Sequence, residues 1–149
     1  EGIKIGSFTS IGQNVCIVDF NHHSNRVSSA FINHLIYRNH YAKDVISENV
    51  VIEEDVFIGS NSVILPGVKI GRGSIIGAGS IVNSDIPRYS VAVGNPVRVV
   101  KKRFSDDLIC LLEELKWWDW DVERLKKNKN IFNIDLRQVN IKEFDNLIN

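Results

Sequence analysis

Ile52-Glu53-Glu54-Asp55-Val56-Phe57-Ile58-Gly59-Ser60-Asn61-Ser62-Val63-Ile64-Leu65-Pro66-Gly67-Val68-Lys69-Ile70 carries an aliphatic residue at every sixth position. Working outward, the same beat fills Ile46, Ile52, Ile58, Ile64, Ile70, Ile76 and Val82, and earlier it fills Ile5, Ile11 and Ile17. A period of six is neither the 3.6 of a helix nor the plain alternation of a strand. It describes short strands, each turned into the next where Gly or Asn tolerates unusual backbone angles. The fifth position of each hexad holds Val50, Val56, Ser62, Val68, Ser74, Ser80 or Ile86, mostly small enough to sit beside an aliphatic residue of a neighbouring rung. Three strands make a coil of 18 residues, and such coils stack about 4.8 Å apart through backbone hydrogen bonds. On this reading Ile46, Ile64 and Val82 form one interior ladder, with Ile52 over Ile70 and Ile58 over Ile76 on the other two faces. The expected architecture is a three-sided parallel β-helix.

The beat has one long gap. Ile17 and Ile46 are 29 positions apart, which is not a multiple of six, and all four histidines, His22, His23, His34 and His40, lie between them. A regular scaffold interrupted by one polar, aromatic loop is where a site is expected. Domain organisation follows from these breaks: residues 1–104 as the β-helix with a loop insertion at 18–45, and residues 105–149 as a helical appendage.

Composition restricts the partners. The chain has 149 residues, 44% of them hydrophobic, enough to bury one core with a small appendage. Eighteen basic and eighteen acidic residues give zero net charge, so no global field favours nucleic acid or an anionic membrane. No apolar run approaches the roughly 20 residues that span a bilayer. Cys16 and Cys110 are far apart and sit in regular segments, which argues against a disulfide framework and for a reducing, cytoplasmic setting. The chain contains no Met and opens at Glu1 already in phase with the beat, so a removed natural start is expected.

From Ser105 the period changes to that of a helix. Leu108, Leu111, Leu112, Leu115 and Trp118 share one helical face, Ser105 is a good N-cap, and Asp106 and Asp107 suit the positive end of the helix dipole. Lys116-Trp117-Trp118-Asp119-Trp120-Asp121 gathers all three tryptophans and is read as packing. A second helix is expected over Val122 to Asn128, and a weaker amphipathic pattern runs from Leu136 to Ile148.

The hexad pattern resembles the hexapeptide-repeat acyltransferases, whose fold is a left-handed parallel β-helix. Asn21-His22 followed by Ser28-Ser29 is similar to the Asn-His segment and following Ser/Thr pair of the xenobiotic branch, the chloramphenicol and streptogramin acetyltransferases. The run His22-His23-Ser24-Asn25-Arg26-Val27-Ser28 is equally similar to bacterial saccharide O-acetyltransferases. Lys116 to Asp121 resembles the Trp cluster of the xenobiotic branch, whereas Ala30, Phe31 and Ile32 depart from its usual aromatic, Pro and Phe. Phe57 stands where relatives often carry Trp. Pro87 to Phe104, with Gly94-Asn95-Pro96-Val97, resembles the segment that ends the coil in members using acetyl-CoA, with Val97 where Ala is usual.

These resemblances imply an acetyl-CoA-dependent O-acetyltransferase with His22 as general base, since imidazole can take a proton from a hydroxyl near neutral pH. Asn21, Ser28 and Tyr37 are the expected contacts to the acceptor. Arg98, Lys101, Lys102 and Arg103 suit the phosphates of coenzyme A, and Gly59 and Ala78 offer backbone to its pantetheine arm. Asp19 is a candidate to orient His22 through its other ring nitrogen. His23 points away from His22 in an extended segment, and His34 and His40 carry no motif. Cys16 lacks an activating partner, so direct transfer without a covalent enzyme intermediate is expected. The family implies a homotrimer with each site between two subunits. The run from His22 to Ser28 favours a saccharide acceptor over an antibiotic, and an amino-sugar amine stays open because the same base would serve it. Two other classes stand beside this reading. A zinc lyase of the carbonic anhydrase type shares the fold, but its histidine ligands sit on the repeats whereas these crowd one loop, and no metal is expected here. The other is a non-catalytic β-helix.

Overall fold

The first hexads form short parallel strands that pair with their counterparts one coil away. The computed structural model describes residues 2–38, 45–138, 144 and 147–148. The chain divides into two units, Glu1–Val100 and Lys101–Asn149. In the first unit, strands β1 (Ile3–Ile5), β2 (Ser10–Ile11) and β3 (Cys16–Ile17) make one coil. After β4 (Phe20–His22), the short helix α1 (Ile32–Leu35) and β5 (Val45–Ser47), the coil resumes as β6 (Val50–Ile52), β7 (Phe57–Ile58) and β8 (Val63–Ile64). A third turn of the coil is β9 (Lys69–Ile70), β10 (Ile75–Ile76) and β11 (Ile81–Val82), followed by β12 (Ser90–Val93) and β13 (Arg98–Lys102). The coil strands lie in three sheets ordered β1-β6-β9, β2-β7-β10-β12-β13 and β3-β8-β11, and β4 and β5 form a separate two-stranded sheet.

The register explains the gap in the beat. Ile52 faces Ile70, Ile58 faces Ile76 and Ile64 faces Val82, each pair 18 positions apart. Between the first and second coils the offset is larger: Ile5 faces Ile52, Ile11 faces Ile58 and Ile17 faces Ile64, each pair 47 positions apart. The excess equals the interval from Ile17 to Ile46. Ile17, rather than Ile46, therefore occupies the rung beside Ile64, which corrects the ladder expected from periodicity. Ile46 instead faces Asn21 in an antiparallel pairing of β4 with β5. That pairing closes the neck of the insertion, so the chain leaves and re-enters the stack without disturbing the parallel ladders.

Burial follows the hexads. Ile52, Ile58, Ile64, Ile70, Ile76 and Val82 are no more than 1% exposed. Full burial of such a side chain is worth roughly 1.5–3 kcal/mol. Ile5 and Ile11, in the end coil and covered from one side only, remain more than 40% exposed. The small fifth positions fill the corners: Val50, Val56 and Val68 are buried, and the equally buried Ser62, Ser74 and Ser80 each donate a hydroxyl to a backbone carbonyl, at Gly59, Pro87 and Gly77 respectively. A buried hydroxyl is tolerated only when so paired. The turns between strands use left-handed backbone at Asn14 (φ 57°), Asn61 (φ 59°) and Gly79 (φ 70°). Asn and Gly adopt this region at least cost.

In the second unit α2 (Asp106–Leu115) is capped by Ser105, whose side chain accepts the Leu108 N–H, and it ends at Lys116 in left-handed conformation. Leu108 and Leu112 are buried. Trp118, expected on the same helical face, is also buried but sits in a 3₁₀ turn, Trp117–Asp119, because the helix has already ended. Trp120 Nε1 donates to the Leu115 carbonyl, and the Arg124 guanidinium lies 4.3 Å over the Trp120 ring. Helix α3 (Val122–Lys127) starts at Asp121, whose carboxylate accepts the Arg124 N–H at 2.7 Å. Most of the pattern expected between Leu136 and Ile148 lies outside the described residues. Among the described residues, no helix is long and apolar enough to cross a membrane.

Candidate active site

His22 ends β4, and its backbone is fixed opposite Val45 by the β4–β5 pairing. Its imidazole is held from two sides by a single short stretch of the inserted loop. Nδ1 lies 2.6 Å from the carbonyl oxygen of Ser29. The Phe31 ring meets the imidazole edge-on, with centroids 4.8 Å apart and planes at 73°. A carbonyl oxygen can only accept, so the neutral ring carries its hydrogen on Nδ1 and presents the lone pair of Nε2. This is the arrangement a proton acceptor requires: one nitrogen anchored, the other available. His22 is partly exposed, open enough to meet a small molecule.

The other expected site residues lie at different places along the insertion. Asn21 turns its side chain back, and its Oδ1 accepts the His22 N–H at 3.0 Å. Ser28 Oγ accepts the Ala30 N–H at 3.1 Å. Tyr37 stands beyond α1 and is well exposed. Asp19, expected as the orienting group for His22, accepts the Glu48 N–H through its backbone carbonyl; Ser29 supplies the contact to Nδ1. The Nε2 of His23 is buried and has no hydrogen-bond partner. His34 is exposed, and His40 lies outside the described residues. Cys16 and Cys110 are free thiols. Among the described residues, no group of three or more His, Cys, Asp or Glu is arranged to hold a metal ion.

Gly59 and Ala78 are neighbours on adjacent rungs. A Cβ at Gly59 would stand 2.5 Å from the Ala78 nitrogen and 2.8 Å from its Cα, so packing alone requires glycine there. Gly59 is buried, whereas Ala78 and Gly79 are exposed and leave a strip of bare backbone. Of the basic residues, Arg98 donates to the Val97 carbonyl and Lys102 pairs with Asp106. The Arg103 guanidinium lies 4.9 Å over the Phe104 ring, and Lys101 is exposed on β13.

Sequence reasoning missed two features. One is the pair Ser29 and Phe31, which acts on His22 through a backbone atom and a ring edge; the only signal was the Ser-Ser pair and a lone aromatic residue six and nine positions on. The other is a charge cluster at one corner of the coil. Glu53 accepts from Arg88 at 2.8 Å and from the Arg72 N–H at 2.9 Å, and pairs with Lys69 at 3.0 Å, while Glu54 pairs with Arg72. The Arg88 contact, with the Arg72 amide and Lys69 adding to it against the cost of burial, pulls the Glu53 carboxyl from 4.5 to about 2. Acid and bases lie one and two coils apart, a relation visible only once coil length is known.

Comparison with known proteins gives a consistent picture. Residues 49–84 match the family described as bacterial transferase hexapeptide (six repeats). A chloramphenicol acetyltransferase of Klebsiella aerogenes is 38% identical over 133 residues, covering 85% of this chain and 63% of the relative. The chain thus spans under two thirds of that relative's length. Among solved structures, a hexapeptide-repeat containing acetyltransferase of Vibrio cholerae O1 biovar eltor, complexed with acetyl coenzyme A, superposes with a TM-score of 0.53 at 35% identity, covering 67% of this chain and 49% of the other. A galactoside acetyltransferase in complex with coenzyme A gives a TM-score of 0.54 at 38% identity, covering 67% of this chain and 44% of the other.

Proposed function

We propose that this chain, a hexapeptide-repeat protein of the bacterial transferase type, forms part of an acetyl-CoA-dependent O-acetyltransferase whose general base is His22. The observation that carries the reading is the Nδ1 contact to the Ser29 carbonyl, which leaves Nε2 as the acceptor. Nε2 removes the proton of the acceptor hydroxyl as its oxygen attacks the thioester carbonyl carbon. When the carbon–sulfur bond breaks, the imidazolium returns that proton to the departing thiolate. An ester and free coenzyme A result, with no bond to the protein. The similar proteins complexed with acetyl coenzyme A and coenzyme A support the choice of acyl donor.

We place the donor along the late rungs. Bare backbone at Ala78 and Gly79 suits a close-lying amide arm, and Gly59 beneath Ala78 keeps that backbone flush. Arg98, in the same unit, would pair with its phosphates. The coil is read as left-handed, and the protein as a homotrimer in which one subunit lends the histidine loop and the next the donor slot. A reaction that draws on acetyl-CoA fits a cytoplasmic setting. For the acceptor, Asn21 and Tyr37 are the candidate contacts. Exposed Phe31, Leu35 and Ile36 on the same loop favour an alcohol with an apolar face over a bare sugar. The name of the Klebsiella aerogenes relative agrees with that preference.

The test is acetyl transfer from acetyl-CoA to a panel of aryl, macrocyclic and saccharide alcohols, with thiol release as readout. Turnover with at least one alcohol supports the assignment. Acetyl-CoA binding without turnover on any of them would leave a binding protein.

A further inference from the structure

We propose that Ser28 is a positioning residue for His22, acting through the backbone of the residue that follows it. The inference rests on His22 being the base and deepens that reading. Two successive turns follow one another here, the first centred on Ser29 and the second on Phe31. In the first, Ser28 Oγ accepts the N–H of Ala30, two residues on, at 3.1 Å; a serine hydroxyl in this arrangement substitutes for a backbone turn. In the second, the Ala30 carbonyl accepts the Ile32 N–H at 2.8 Å across Phe31, whose φ of −71° and ψ of 49° are those of an inverse γ-turn. From the centre of each turn the chain aims one group at the imidazole: the Ser29 oxygen at Nδ1, 2.6 Å away, and the Phe31 ring edge, 4.8 Å between centroids.

The Ser29 carbonyl is a backbone group and no substitution at Ser29 removes it. It lies in the same peptide plane as the Ala30 N–H, and that N–H is held by Ser28, so the hydrogen bond fixes the direction of the carbonyl. Without the hydroxyl, that plane is free to rotate and the carbonyl swings away from Nδ1. An unconstrained histidine side chain prefers its hydrogen on Nε2. Losing the Ser29 acceptor therefore returns His22 toward the tautomer in which Nε2 is a donor and cannot act as a base. Ser28 thus selects which nitrogen of His22 bears the proton, although it touches neither nitrogen.

The experiment compares Ser28→Ala and Ser28→Thr with the parent protein. Nitrogen-15 NMR of histidine-labelled protein, with His22 assigned by His22→Gln, reads the tautomer directly and needs no turnover. The parent protein and Ser28→Thr are expected to show an unprotonated Nε2, and Ser28→Ala a mixture or reversal. In acetyl transfer, Ser28→Ala should lower kcat by roughly 10- to 100-fold with KM for the acceptor little changed, and Ser28→Thr should recover most of it. A Ser28→Ala protein that keeps the parent tautomer overturns the proposal. So does one whose acceptor KM rises while kcat stands, which would make Ser28 a substrate contact instead. If the parent protein transfers no acetyl group at all, the function fails while the tautomer measurement still decides the role of Ser28.

Discussion

Replacing Glu53 by Gln removes the charge at the centre of the corner cluster and should change how stability depends on pH. In the folded chain the Glu53 carboxyl lies at about 2, against 4.5 for the ordinary group. A carboxyl depressed on folding contributes stability that is fully present above its unfolded value and is lost as pH falls through its folded value. The window is therefore from pH 5 or so down to about 2. At about 1.4 kcal/mol per unit, the shift corresponds to about 3 kcal/mol as a ceiling. Lys69 and Arg88 are 53% and 45% exposed while Glu53 is 12% exposed, so solvent and salt screen the cations and the expected contribution falls to roughly 1–2 kcal/mol. Denaturant titrations of both proteins at pH 7, 5, 4, 3 and 2.5 give the difference directly. Glu53→Gln should be less stable by roughly 1–2 kcal/mol at pH 7, and the two curves should converge as pH approaches 2. Asp135, also pulled down to about 2, chiefly by its hydrogen bond from Arg137, is present in both proteins and cancels in the difference. Parallel curves, or a variant as stable as the parent at pH 7, would refute the reasoning.

Further outcomes follow from packing and from the proposed donor slot. Ile76→Ala empties a fully buried rung position and should destabilise by about 2–5 kcal/mol in denaturant unfolding. Gly59→Ala drives a methyl group against the backbone of Ala78; a loss of about 1–3 kcal/mol is expected whether or not coenzyme A is present. Asp121→Ala removes the cap of α3 and should cost about 0.5–2 kcal/mol. Arg98→Glu should raise KM for acetyl-CoA several-fold, with the effect shrinking at high salt, and leave KM for the acceptor unchanged.

The rungs were legible because one stereochemical demand repeats: every sixth side chain points inward, and Ile or Val answers it from Ile52 to Val82. The register across the insertion was not. Ile46 keeps the beat in sequence, yet periodicity reports spacing and not pairing, and its pairing with Asn21 depends on where the loop closes. The choice of His22 as candidate rests on a motif. What holds its ring could not be read, since a carbonyl oxygen is common to every residue and nothing in the letters Ser28-Ser29-Ala30-Phe31 states which way one peptide plane turns. The Glu53 cluster stayed hidden for a similar reason. Its partners are distant in sequence and meet only when the coil stacks.

The most direct test of the account is the rate of acetyl transfer by His22→Ala, measured beside acetyl-CoA binding by the same protein. The account predicts a fall in kcat of roughly 100- to 10,000-fold with acetyl-CoA binding unchanged, because His22 acts on the acceptor hydroxyl and not on the donor. A His22→Ala protein turning over within a few-fold of the parent would contradict it.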